Sequence, residues 1–125
     1  RLYVNDIGLL VSMYGYEMKA AIVNDTLKGP SKGGIYENLM ADFLLKKGQK
    51  LFYYQKDDNS CEIEFLLEKN AGVVPVEVKA IRGKTTSLNK ILESSDISVG
   101  YKFTSGNCGV DGKKITLPLY LALFL

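Results

Sequence analysis

The chain has 125 residues, 46% of them hydrophobic and 24% charged, which suits one packed domain of the common size of roughly 100–150 residues. It has no histidine and only two cysteines, Cys61 and Cys108; this excludes His-based triads and zincin sites, offers no disulfide framework, and reads as a reducing, cytoplasmic setting. A net charge of +2 is too balanced to announce nucleic acid by itself, and any metal would need oxygen ligands, which points to Mg²⁺ or Mn²⁺.

Leu2-Tyr3-Val4 precedes Asn5-Asp6, and Asp6 is an N-cap candidate for a short helix carrying Leu9, Leu10 and Met13. A second helical stretch runs from Glu17 towards Leu27. The composition of Lys28-Gly29-Pro30-Ser31-Lys32-Gly33-Gly34 predicts a mobile loop. From Ile35 the spacing turns helical, with Tyr36, Leu39, Met40, Phe43 and Leu44 on one stripe, cationic Lys46 and Lys47 near the end, and Gly48 as the C-terminal stop.

Leu51-Phe52-Tyr53-Tyr54 reads as a strand, followed by the turn Asp57-Asp58-Asn59-Ser60. In the next strand, Cys61 to Glu68, the residues Ile63, Phe65 and Leu67 alternate with Glu62, Glu64 and Leu66. In Val73 to Ala80, Val74, Val76 and Val78 share one face, while Pro75, Glu77 and Lys79 share the other. A hairpin turning at Asn70-Ala71 matches these apolar faces when Ile63 meets Val78, Phe65 meets Val76, and Leu67 meets Val74. That register sets Glu64 opposite Glu77 and Glu62 opposite Lys79, and a slip of one residue destroys the match.

Beyond Arg82-Gly83-Lys84, Thr85 to Ser87 cap a helix bearing Leu88, Ile91 and Leu92. A further strand spans Ile97 to Phe103, joined through that helix as a parallel crossover. Ser105 to Gly112 is rich in turn residues and leads to Ile115-Thr116-Leu117. The apolar end, Leu117 to Leu125, contains Pro118 and is far shorter than the roughly 20 residues of a membrane span; it reads as a docked terminal segment, with no membrane partner. The expected fold is a single α/β domain over residues 1–125, whose mixed four-stranded central sheet has three antiparallel strands and one parallel strand after a crossover helix, with helices on its flanks.

Two carboxylates facing each other across a strand pair repel. A divalent cation between them reverses the sign, polarises a phosphoryl oxygen and lowers the pKa of bound water. Lys79, two residues on from Glu77, shares its face and is placed to orient that water; Glu37, at the edge of the helical stripe, reaches the same place if the helix crosses the sheet. A solvated face with a Glu62–Lys79 surface pair, worth about 0–1 kcal/mol, accounts for the same residue types without any chemistry. Gly83-Lys84-Thr85 has the look of a P-loop end, but the first glycine of that motif would fall on Val78, within a strand. Lys79, Arg82 and Lys84 are available to phosphates, although with so modest a net charge a solvated loop is the better account of them.

Glu37 on a helix, Glu64 on a strand and Glu77-Val78-Lys79 on the next strand resemble the PD-(D/E)XK nuclease superfamily. The segments Leu2 to Leu10, Gly34-Ile35-Tyr36-Glu37-Asn38, Glu62-Ile63-Glu64-Phe65, Val74 to Lys79 and Leu117-Pro118-Leu119-Tyr120 resemble, in order, the restriction-endonuclease-like C-terminal domain attached to prokaryotic AAA-type ATPases. The resemblance implies a restriction-endonuclease-like fold and a metal-dependent nuclease acting on nucleic-acid phosphodiesters with Mg²⁺ or Mn²⁺. Glu64 and Glu77 would be metal ligands, Glu37 an accessory metal-site carboxylate, and Lys79 the water-positioning residue, making Glu37, Glu64, Glu77 and Lys79 the catalytic set. It also implies an N-terminal ATPase domain as partner, in line with a chain that starts at Arg1. The superfamily usually has Asp where this chain has Glu64. The alternative is a catalytically degenerate nuclease fold serving nucleic-acid or protein recognition.

Overall fold

The computed structural model describes residues 1–80 and 83–125. Helix α1 spans Ile7–Ser12, and the Asp6 side chain caps it by accepting the Leu9 N–H at 2.8 Å. Helix α2 follows over Tyr16–Val23. Neither helix holds a fully buried residue, and Leu9, Met13, Tyr16 and Val23 stand exposed. Helix α3 spans Gly29–Lys46, so the expected loop at residues 28–34 is mostly the first two turns of this helix. Pro30 explains the difference: its fixed φ suits the first helical turn, where no intrahelical N–H bond is lost. The helix ends as expected, with Gly48 at φ +75° donating to the Leu45 carbonyl and Gln49 donating to that of Leu44.

Among the described residues the sheet has six strands rather than the four expected, in the spatial order β1-β2-β3-β4-β6-β5. They are β1 (Phe52–Gln55), β2 (Glu62–Lys69), β3 (Gly72–Lys79), β4 (Gly100–Thr104), β5 (Gly109–Asp111) and β6 (Lys114–Pro118). The expected unit survives within it: β1, β2 and β3 are antiparallel neighbours, and β4 lies parallel to β3 after helix α4 (Thr86–Leu92). The two additional strands are β6, parallel to β4, and the short edge strand β5, antiparallel to β6. The turn-rich composition of Ser105 to Gly112 conceals β5. Gly112 at φ +56° closes that hairpin.

The core lies between α3 and the sheet. Met40, Ala41 and Leu44 pack with Phe65, Leu67, Val74, Val76, Val78 and Phe103, and the terminal 3-10 helix Leu119–Phe124 adds Leu119 and Ala122. The apolar C-terminal run is therefore docked, and no described helix is long and apolar enough to cross a membrane. On the other face α4 approaches very closely. A methyl group at Gly100 would meet Leu92 at 2.9 Å and Leu88 at 3.0 Å, so a side chain there would make these leucine side chains shift.

Candidate functional site

The β2–β3 hairpin turns through Asn70 at φ +52° and Ala71 at φ +60°, the type I′ geometry that fits twisted strands. Its ladder pairs Lys69 with Gly72, Leu67 with Val74, and Phe65 with Val76, as the apolar pattern requires. There the described ladder stops. The expected pairs of Glu64 with Glu77, Ile63 with Val78 and Glu62 with Lys79 do not form part of it. Instead Val78 and Lys79 run beside Phe103 and Thr104 of β4, and the Ser87 hydroxyl of α4 accepts the Glu62 N–H at 3.2 Å.

A β-bulge accompanies the divergence. Phe52 pairs with Leu66 and Tyr54 with Ile63, so two steps along β1 span three along β2. The additional residue falls at Glu64-Phe65, and such bulges re-aim side chains. Strict alternation is lost there: Phe65 and Leu67 join the core under α3, whereas Ile63, equally buried, does not.

The structure brings Glu64, Glu77 and Lys79 together at this divergence. The Lys79 ammonium donates to Glu64 Oε1 at 3.1 Å and reaches Glu77 Oε1 at 2.9 Å. The Glu64 and Glu77 side chains are only 8% and 4% exposed, which sets them apart from a solvated surface pair. Each keeps a second buried oxygen, Oε2, with no hydrogen-bond partner among the described residues. Leaving such an atom unpaired is unfavourable, and a bound cation is one way to satisfy it.

Glu37 of α3 stands beside this trio. It pairs with Arg1 at 2.8 Å, and the same guanidinium also pairs with Glu62. The expected Glu62–Lys79 pair is thus replaced by two others, because Lys79 turns to Glu64 and Arg1 takes Glu62. The N-terminal segment that carries Arg1 is held by Asn38, whose amide accepts from the Val4 N–H at 2.7 Å and donates to the Val4 carbonyl at 2.9 Å. Tyr3 packs its ring 5.6 Å from that of Phe65.

Burial raises the pKa of Glu77, while Lys79 and the Leu88 backbone N–H of α4 offset part of the rise. Burial likewise raises Glu37 against the opposing pull of Arg1, and the Glu64 charge adds to that rise. Burial pulls Lys79 down, but Glu77 and Glu64 together push it above the ordinary lysine range. The ion-paired set holds four carboxylates, Glu37, Glu62, Glu64 and Glu77, against two cations, Arg1 and Lys79. It carries two excess negative charges when all are ionised, which matches one divalent ion.

The donors are hard oxygens, as Mg²⁺ and Mn²⁺ prefer. Among the described residues, however, no three acidic or cysteine side chains converge closely enough to cage an ion, and the Lys79 ammonium stands between the two best ligands. The donor chemistry suits such an ion, while in this structure the ammonium occupies the place between the two carboxylates. Arg82 lies outside the described residues, and Lys84 is exposed in the loop that follows. The apolar hollow lined by Phe52, Leu66 and Val73 lies at the hairpin end of the same strands.

The family model described as domain of unknown function DUF4143 matches residues 32–121. The chain belongs to this family. No curated protein and no solved structure matches the chain. The part that matches the DUF4143 model contains Glu37, Glu64, Glu77 and Lys79, whereas Arg1 and Tyr3 precede it. Sequence reasoning missed Arg1, Ser87 and the Leu88 N–H in this DUF4143 domain. Arg1 and the Leu88 N–H meet carboxylates, and Ser87 meets the Glu62 backbone N–H, only through tertiary packing, and no local pattern marks them.

Proposed function

We propose that this domain is a metal-dependent nuclease of the restriction-endonuclease-like, PD-(D/E)XK kind, cleaving nucleic-acid phosphodiesters with Mg²⁺ or Mn²⁺. The observation that carries the proposal is the pair of buried carboxylate oxygens on Glu64 and Glu77, without partners among the described residues, beside one shared lysine. Glu64 and Glu77 hold the ion, with Glu37 as an accessory carboxylate kept in place by Arg1. When bound, the ion supplies charge stabilisation at the phosphoryl group and a more acidic water. Lys79, released from the carboxylates, positions the attacking water and balances developing charge. Coupling to an N-terminal AAA-type ATPase domain rests on the family resemblance alone.

A second reading, a degenerate nuclease fold used for recognition or assembly, has its own support: Lys79 closes the gap between Glu64 and Glu77, and a lysine clamp satisfies part of their charge without metal. Cleavage decides between them. The first reading expects Mn²⁺-dependent hydrolysis of single- or double-stranded substrates that is lost in both Glu77→Ala and Lys79→Ala. Equal cleavage by Lys79→Ala would assign the activity to another site or a contaminant. Absence of cleavage by the ATPase-bearing protein, supplied with metal and ATP, would favour the second reading.

A further inference from the structure

The carboxylates account for one side of the divergent strands, and β4 forms the other. In the parallel β3–β4 ladder Glu77 stands beside Lys102 and Lys79 beside Thr104. Paired residues in a parallel ladder project to the same face, about 4.8 Å apart across the strands. Phe103 lies between Lys102 and Thr104 in sequence and points into the α3 core beside Val78. Lys102 and Thr104 therefore share the face of Glu77 and Lys79.

Thr104 is 4% exposed, yet its hydroxyl has no hydrogen-bond partner among the described residues. Lys102 has no carboxylate partner among the described ion pairs. Among the described residues its ammonium donates only to the Gly83 carbonyl, at 3.1 Å, which puts its charge against the loop bearing Lys84. These groups lie towards the C-terminal ends of parallel strands, where α/β sheets commonly bind ligands. A buried hydroxyl that lacks a partner among the described residues, on the same strand face as the Lys102 ammonium, is the complement of a phosphate oxygen.

We propose that Lys102 and Thr104 form an anion subsite that takes a backbone phosphate adjoining the one hydrolysed at Glu64 and Glu77. This rests on the nuclease reading and extends it, by dividing the site into an acidic half on β2 and β3 that holds metal and a basic half on β4 that holds the nucleic-acid backbone. Lys102 is a positioning residue: it sets where the strand lies and takes no part in bond breaking.

The test is binding without turnover. Fluorescence anisotropy of labelled single-stranded and duplex oligonucleotides is measured on the full chain, in EDTA and in Ca²⁺, across a salt series. Replacing Lys102 by Gln should weaken binding about tenfold, as expected for a lost charge-assisted hydrogen bond. It should also reduce the slope of log affinity against log salt by about 0.7 for single strands and 0.9 for duplex, the signature of one lost phosphate contact. Lys102→Arg should restore the slope. Thr104→Val, which keeps shape and removes the hydroxyl, should weaken binding about threefold to tenfold with the salt slope unchanged. A lower melting temperature for Lys102→Gln with wild-type affinity and slope would overturn the proposal, because it would mean that Lys102 only pins the Gly83 loop. Wild-type protein that binds neither oligonucleotide also overturns it. The Mn²⁺ response of the carboxylates is measured separately by melting, so that loss of the anion subsite and loss of the nuclease reading are told apart.

Discussion

The two halves of the β2–β3 hairpin follow opposite rules. From Phe65 to Lys69 and from Gly72 to Val76 the strands are paired residue by residue, and Phe65, Leu67, Val74 and Val76 enter the core under α3. A few residues away, Glu62 to Glu64 and Glu77 to Lys79 diverge around a bulge, carry charge, and leave two carboxylate oxygens buried without partners among the described residues. The inner half is locally consistent in pattern, pairing and packing. The outer half violates that consistency, and such violations concentrate at functional sites. The difference teaches that the carboxylates are tolerated because the inner half independently holds the register.

The strongest way to break that division is to remove its anchor. Phe65 is 1% exposed and in the centre of the core. Phe65→Ala should destabilise the fold by about 3–5 kcal/mol, through lost burial and a residual cavity. Chemical denaturation would measure this, and a cost below about 1 kcal/mol would mean that the inner half is not the anchor.

A sharper contrast comes from metal. Wild-type protein should melt higher in Mn²⁺, by about 2.7 kcal/mol at a hundredfold excess over the dissociation constant, since ligand binding to the folded state stabilises it. Glu64→Gln should be neutral or stabilising without metal and should gain much less from Mn²⁺. A wild-type melting curve that does not move at millimolar Mn²⁺ would remove the metal-site reading for this domain.

Protons probe the same half more gently. Burial raises the Glu77 pKa in the folded state above its ordinary 4.5, so the folded protein holds the proton more tightly than the unfolded chain. The stabilising contribution of that proton is fully present below pH about 4.5 and is lost as pH rises through the folded value. Glu77→Gln should accordingly melt above wild type at pH 7, with the gap closing below pH 4.5. Lys79 retains Glu64 in that variant. A constant gap across the pH range would show that Glu77 titrates normally.

The inner half was legible in the sequence and the outer half only partly so. Alternating Phe65 and Leu67 against Val74 and Val76 dictates a register that the ladder follows, because period-two burial leaves one solution. The bulge at Glu64-Phe65 arises from β2 pairing with β1, and nothing within β2 marks it. For the same reason the ion-pair partners came out differently. Arg1 is far from Glu62 in sequence, and the Asn38 grip on Val4, with Tyr3 packed on Phe65, holds the segment that carries it there. The start of α3 was hidden by glycines that normally break helices, and β5 by turn residues around a strand of only three.

The smallest effect tests the turn from which the register starts. Asn70 and Ala71 both adopt positive φ. Asn tolerates that region, whereas the Cβ of Ala opposes it by roughly 1–2 kcal/mol. Replacing Ala71 by Gly removes that strain but enlarges the freedom of the unfolded chain, which costs about 0.4–1 kcal/mol. The two terms leave a net stabilisation of about 0.5 kcal/mol for Ala71→Gly, a shift of a few degrees in melting temperature. Asn70→Gly has little strain to relieve and should be neutral or slightly destabilising. Because the paired inner half lies between the turn and the carboxylates, Ala71→Gly should leave the Mn²⁺ shift of the wild type unchanged. If the turn variant alters the metal response, the inner half does not insulate the site, and the separation between the two halves of the hairpin fails.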